Sequence, residues 1–221
     1  MSRPSKNIDQ QLLLSGRALY PQHGCAGLSV RQVCEHAGVN AGMFHYHFQS
    51  KDNFLATLLQ QLYDEVFAQL QAQAAHPGSA LERLRQALNL LGQLMRSHGA
   101  WVARAWTDAG SGQVVAQSFL QRNAPRHMQL LMALAHEATV AGDLTVLPAM
   151  QRFGFMMGSV LAPMVIVPGA LRMGVLPSAL AEHVQADVLS DRAIADRVDR
   201  ALSALALPLN PSSVIQDQHH A

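Results

Sequence analysis

Aromatic residues make up only 5% of this 221-residue chain, charged residues only 14%, and there are just two cysteines. Few aromatics, with frequent Ala, Leu, Gln and Met, favour helices over strands. Few charges against 49% apolar residues exclude a disordered chain and allow a sizeable buried core. Cys25 and Cys34 lack the close ligand spacing of zinc sites and read as free thiols of a reducing cytoplasm, Cys34 as a small buried side chain. Redox activity at either thiol is left open. The polar start MSRPSKNIDQ has no apolar run, so no secretory leader is expected.

Catalytic signatures are also missing. There is no GxSxG elbow, phosphate loop, zinc pattern or paired-carboxylate motif, and Gly110-Ser111-Gly112 reads as a helix break. The expectation is a non-enzyme without metal or cofactor. His45 and His47 stand two apart on a helix, about 200° around the axis, so they do not grip one ion together. The net charge of +1 does not announce a nucleic-acid partner. Residues 1–60 set Arg3, Lys6, Arg17, Arg31 and Lys51 against Asp9, Glu35 and Asp52, a mild local excess of positive charge. Residues 153–171 carry no charge, long enough to cross a bilayer, but Pro163, Pro168 and Gly169 interrupt the run. A buried core helix or a dimer helix is the expectation there, with no membrane partner.

What is present is helical periodicity. A first helix runs from about Asn7 to Tyr20 with Ile8, Leu12, Leu19 and Tyr20 near one face, ended by Pro21 and Gly24. Ser29-Val30-Arg31-Gln32 fits a capping box opening a second helix with Val30, Val33, Cys34 and Ala37. Gly38 breaks it, and Asn40 caps a short third helix ending near His47. Ser50 caps a longer fourth, striped by Leu55, Leu58, Leu59, Leu62, Val66 and Leu70. Past the turn His76-Pro77-Gly78-Ser79, one helix carries Leu81 to Met95 and a short one Trp101 and Trp106. Pro125 separates two more helices, and Gly142-Asp143 closes the second. An apolar helix spans 149–167, a short one starts at Pro177-Ser178, and a last one spans Ser190 to Ala206. Residues 207–221 are expected to be a flexible tail.

Helices two and three, joined by Ala37-Gly38-Val39-Asn40, form a helix-turn-helix pattern, which places its second helix in a DNA major groove. The segment from Leu12 to Leu59 resembles the DNA-binding region of the TetR/AcrR repressor family. The matching signs are Leu12-Leu13, Ala18-Leu19-Tyr20, Gly24, Ser29-Val30, Val33, Ala37-Gly38-Val39, Gly42, Phe44, Tyr46-His47-Phe48 and Ser50-Lys51. Met43 stands where the family often has Thr, and His45 where it often has Tyr. Pro21 is unusual so near the end of the first helix.

The resemblance implies an all-α chain: a three-helix DNA-binding unit over 1–52, then a helical ligand-binding and dimer-forming domain over 53–206. Ala41 and Gly42 are small enough to let the third helix approach base edges, and Ala41 suits a thymine methyl. Asn40, His45, Tyr46 and His47 offer donors to phosphates or bases, whereas Met43 cannot donate a hydrogen bond. Lys51, Ser29 and Arg31, at helix starts, suit phosphates. Phe44 and Phe48 read as core holding the third helix in place.

Seven of the ten methionines lie between 128 and 173. Met95, Trp101, Trp106, Phe119, Met128, Met132, Phe153, Met156 and Met157 read either as the lining of a pocket for an apolar or aromatic effector or as ordinary core. His136 and Glu137 are candidate polar anchors or a solvated edge. Gly154, Gly158 and Ala162 recur every four residues and give a bare helix face. With Ile194, Val198, Ala201, Leu202 and Leu205 of the last helix they form the expected twofold interface, unless they pack inside one subunit. The resulting expectation is a cytoplasmic homodimeric regulator, most simply a repressor, on a palindromic operator in double-stranded DNA, released by a small-molecule effector. A helical protein-interaction module with reduced DNA binding is the alternative.

Overall fold

The computed structural model describes residues 7–206. The expected tail, the basic Arg3 and Lys6, and the His219-His220 pair lie outside the described residues. Within them the chain is all-helical. Helices α1 (Ile8–Gly27), α2 (Val30–Ala37) and α3 (Ala41–Phe48) form a small unit. They lead into three long helices, α4 (Lys51–Ala74), α5 (Ala80–Gly110) and α6 (Val114–Val140). Helices α7 (Ala149–Val160), α8 (Ala162–Arg172), α9 (Ser178–Ala181) and α10 (Asp191–Ala206) follow, with a π-helical turn over Gln185–Leu189.

The helix starts follow local chemistry. Ser29 and Gln32 close a capping box on α2, and Ser79 and Glu82 close one on α5. Asn40 and Ser50 accept backbone N–H groups from Met43 and Asn53, so each satisfies an otherwise orphaned donor. Gly38 ends α2 in the left-handed conformation at φ 67°, which glycine adopts without steric cost.

Three expected breaks are absent or displaced, and one break that was not expected is present. α5 is one helix through Gly99, not two. A Cβ at Gly99 would sit 3.4 Å from the Met164 carbonyl oxygen, an ordinary contact with α8. α6 continues through Pro125, whose exposed position leaves the freed carbonyl one turn earlier near solvent. α1 likewise passes Pro21, and the chain turns only at Gly24, at φ 64° and ψ −172°, before one last turn to Gly27. The apolar stretch after Pro148 is two helices that meet at Leu161.

Two main cores result. The first joins Leu12, Tyr20, Val33, Phe44 and Phe48 of α1–α3 to Phe54–Leu62 of α4, Trp101 and Ala105 of α5, and Phe119 of α6. It crosses the domain boundary expected at residue 52, because the start of α4 and the end of α5 pack under the small unit. The second gathers Phe67, Leu70, Leu84, Leu88, Leu131, Met156, Val160 and the inner face of α10. A smaller cluster of Met164, Val184, Leu189 and Ile194 closes the far end.

Candidate nucleic-acid interface

α3 is built as a rod with one anchored side. Phe44 is fully buried and Phe48 nearly so, and both rings meet Phe54 of α4 at 5.1 and 5.0 Å between centroids. The opposite side is open. Ala41, Gly42, His45 and Tyr46 are exposed, Tyr46 by 75%, while Met43 and His47 are half-buried. Among the described residues, the tip expected to meet DNA is therefore not covered by the chain's other helices.

The sequence-predicted contacts fall on this exposed side with some prior engagements. Asn40 Oδ1 caps the helix by accepting from the Met43 backbone N–H at 3.0 Å. His45 Nδ1 lies 3.3 Å from the Gln49 carbonyl. The Ser29 hydroxyl is spent on its capping box, and Arg31 pairs with Glu35 at 2.7 Å in full solvent. An exposed pair of this kind is weak and readily exchanged for a phosphate. Lys51 Nζ donates to the Ala26 carbonyl at 3.2 Å, tying the start of α4 to the end of α1. Among the described residues, no group of three or more His, Cys, Asp or Glu is arranged to hold a metal ion.

The small unit is joined to the rest through a buried polar cluster that sequence reading missed. Asp108 of α5 is 2% exposed. Its Oδ2 accepts from the Tyr20 hydroxyl at 2.9 Å and from the Cys25 backbone N–H at 2.7 Å, and Arg104 pairs with its Oδ1 at 3.0 Å. Arg104 also donates to the His23 carbonyl, so α5 grips both sides of the turn at Gly24. A Cβ at Gly24 would fall 2.0 Å from the Arg104 Nε, and the positive φ adds strain, so only glycine fits. Burial, with Asp108 beside it, pushes the Cys25 thiol up to about 12 and keeps it neutral. The same burial raises Tyr20. Cys25 and Cys34 are both free and buried, a setting for inert thiols. A second link is the Arg17–Glu65 pair between α1 and α4, whose guanidinium holds the Glu65 carboxyl below the usual range.

The candidate effector residues are not brought together. Trp101 and Phe119 meet at 5.8 Å in the first core, and Tyr20 and Tyr63 extend the ring series at 5.5 and 6.0 Å. Met156 is buried in the second core, where Phe153 and Met157 pack against it. Met95 packs on the third cluster, Met128 and Met132 are half-buried on α6, and Trp106 is 59% exposed. Trp106 stands five residues from the buried Trp101, about 140° around the helix, and so faces solvent. Glu137 is not an anchor: it pairs with Arg83 at 2.6 Å. A shallow surface depression of about 700 Å³ lies along α4 beside Arg122 of α6, among Gln60, Asp64 and Glu65, and none of the candidate effector residues lines it.

The expected twofold face divides. Ile194, Val198, Ala201, Leu202 and Leu205 are all buried inside the subunit, so the apolar stripe of α10 is core and not an interface. It meets α5 and α7, and Gly92 of α5 permits the approach, since a Cβ there would meet Ile194 at 2.7 Å. Gly154 and Gly158, by contrast, are exposed, and a Cβ at either would meet nothing within 4 Å. They lie with Met150, Phe155, Ala162 and Ile166 on an outward apolar face of α7 and α8. Ala149–Arg172 is long and apolar enough to cross a membrane by length and composition.

Helices α1–α3 with an open side on α3, followed by longer helices, define a helix-turn-helix unit within an all-helical chain. Residues 12–58 match the family model for bacterial regulatory proteins of the tetR family. It is 28% identical over 83 residues to the HTH-type transcriptional repressor KstR2 of Mycolicibacterium smegmatis, a match covering 38% of this chain and 40% of that one. The matched stretch thus spans about two fifths of the length of this curated relative. The fold likeness runs further. A Saccharomonospora viridis protein crystallised with choline superposes with a TM-score of 0.69 at 15% identity, covering 90% of this chain and 97% of that one. The transcriptional regulator FadR of Bacillus subtilis, in complex with stearoyl-CoA, gives 0.64 at 12% identity, covering 90% and 99%. What the chain shares with these structures is the all-helical fold.

Proposed function

We propose that this protein is a homodimeric, ligand-responsive repressor of transcription that holds a palindromic operator with α3 of each subunit. The observation that carries the reading is the uncovered side of α3 opposite the Phe44–Phe48 anchor. A helix presented in this way fits a major groove, and the starts of α2 and α4 lie where phosphates are held in such units. The curated relative's name, a transcriptional repressor, supports the direction of control.

A second copy is the proposed occupant of the outward face of α7 and α8. Met150, Phe155 and Ile166 are 62%, 43% and 65% exposed, a contiguous apolar surface of the kind that marks an interface. Gly154 and Gly158 let another helix come close. The break at Leu161 and the prolines at 163 and 168 favour a second helical subunit over lipid, and with it a cytoplasmic protein. A twofold pair sets two reading helices about 34 Å apart, one turn of DNA.

The proposed effector is small and apolar or aromatic, acting on the second domain. The ring series Tyr20–Trp101–Phe119–Tyr63 runs from α1 through α5 and α6 to α4, and the buried Trp101 indole N–H has no acceptor among the described residues. A ligand that displaced these rings would tilt α4 and α5 under the DNA unit and shift the population away from the DNA-bound spacing. The choline and stearoyl-CoA held by proteins of like fold support a ligand-binding second domain.

The test is Phe155→Asp. Sedimentation should show a shift from dimer to monomer, and operator affinity should fall by about a hundredfold or more as bivalent engagement is lost. A Phe155→Asp variant that stays dimeric would remove this face from the interface.

A further inference from the structure

The DNA-binding reading leaves open what α3 reads, and the groups it presents narrow the choice. Hydrogen-bonded base readout depends on a few side chains. Arg or Lys reads guanine, Asn or Gln reads adenine through paired contacts, and Asp or Glu reads cytosine. Between Ala41 and Phe48 there is no Arg, Lys, Asn, Gln, Asp or Glu, and the donors that are there, His45, Tyr46 and His47, come after the first turn, with His45 Nδ1 3.3 Å from the Gln49 carbonyl. Asn40 precedes the helix, and its Oδ1 accepts from the Met43 backbone N–H at 3.0 Å, so turning its amide toward adenine would compete with the cap. The first turn, which enters deepest in such docking, presents the Ala41 methyl, the bare backbone of Gly42 and the half-buried Met43 thioether. Gly42 keeps that tip slim: a Cβ there would come within 3.2 Å of the capping Asn40 Oδ1.

We infer that the base-specific contact of α3 is apolar and directed at thymine. The Ala41 methyl, with Met43 beside it, packs on the 5-methyl groups of thymines in each half-site, while His45, Tyr46 and Lys51 position the helix through the backbone. This rests on the DNA-binding reading above and adds the base class to it. Selectivity of this kind comes from burying methyl groups, so each contact is worth about fourfold in affinity, the equivalent of one buried methylene.

The experiment starts from the full chain and a pool of duplexes with a random core, selected for binding at fixed salt. The best duplex is then remade with uracil in place of each thymine in turn, which deletes the 5-methyl group and nothing else. At least one thymine per half-site should lose about fourfold in affinity on substitution. In Ala41→Gly, whose change lies at an exposed first-turn position, the same uracil duplex should bind as well as the thymine duplex. If every uracil duplex binds like its parent, or if the essential positions are guanines, the thymine assignment is overturned while DNA binding stands. If no duplex is enriched at any salt, the DNA-binding reading itself fails.

Discussion

Asp108→Ala is expected to lower stability by about 3–5 kcal/mol, because it strands three groups that the carboxylate now satisfies. The Tyr20 hydroxyl and the Cys25 backbone N–H would lose their common acceptor, and Arg104 its counter-charge. All of this lies in the core that joins α1 to α5, so water cannot readily replace the lost oxygen. For a chain of this length the thermal midpoint should drop by roughly 10 °C. Asp108→Asn, which keeps an acceptor oxygen and the side-chain volume, should recover part of the loss. Because Arg104 and Asp108 clamp the chain at Gly24, the destabilised region should be α1 first, visible as early hydrogen exchange there. An Asp108→Ala protein that unfolds within 1 kcal/mol of the parent would show that this cluster does not bind the two domains together.

Phe44→Ala should cost a similar 3–5 kcal/mol, the usual range for emptying a fully buried aromatic site. Its consequence is more local. Phe44 contacts Phe48 at 5.6 Å and Phe54 at 5.1 Å, and this trio is what fixes α3 against α4. The second core does not touch it, so most of the helical signal should survive at moderate temperature while duplex affinity is lost. Retained DNA affinity in a folded Phe44→Ala protein would mean that α3 is not the reading element.

How much of this was written locally in the chain can be judged from single residues. Ser29 with Gln32, Asn40, Ser50 and the Gly38 turn were legible because each acts on groups three or four residues away. The anchored side of α3 was legible for the same reason, since Phe44 and Phe48 recur at one helical turn. Pro125 misled because its local preference for a break was overridden on a wet face, and the gap expected between Met95 and Trp101 is absent because α5 runs on through it. The stripe on α10 was read correctly as buried but not as to its partner, since periodicity does not say whether an apolar face meets its own subunit or another. Asp108 could not be found at all. Two of its partners lie 83 and 88 residues away in sequence, and the third, Arg104 four residues back, reads locally as an ordinary surface i,i+4 pair rather than as a buried one.

The most direct measurement is the affinity of the full-length protein for duplex DNA across a range of salt concentrations. Neutralised phosphates release counterions, so a protein that docks α3 in a groove with Lys51, Arg31 and the helix starts on the backbone must lose affinity steeply. The logarithm of the binding constant should fall linearly with the logarithm of salt, with a slope steeper than about −3 for a dimer. Binding that is absent at low salt, or that shows a slope near zero, would contradict a DNA-docking α3 and favour a helical module that meets other proteins.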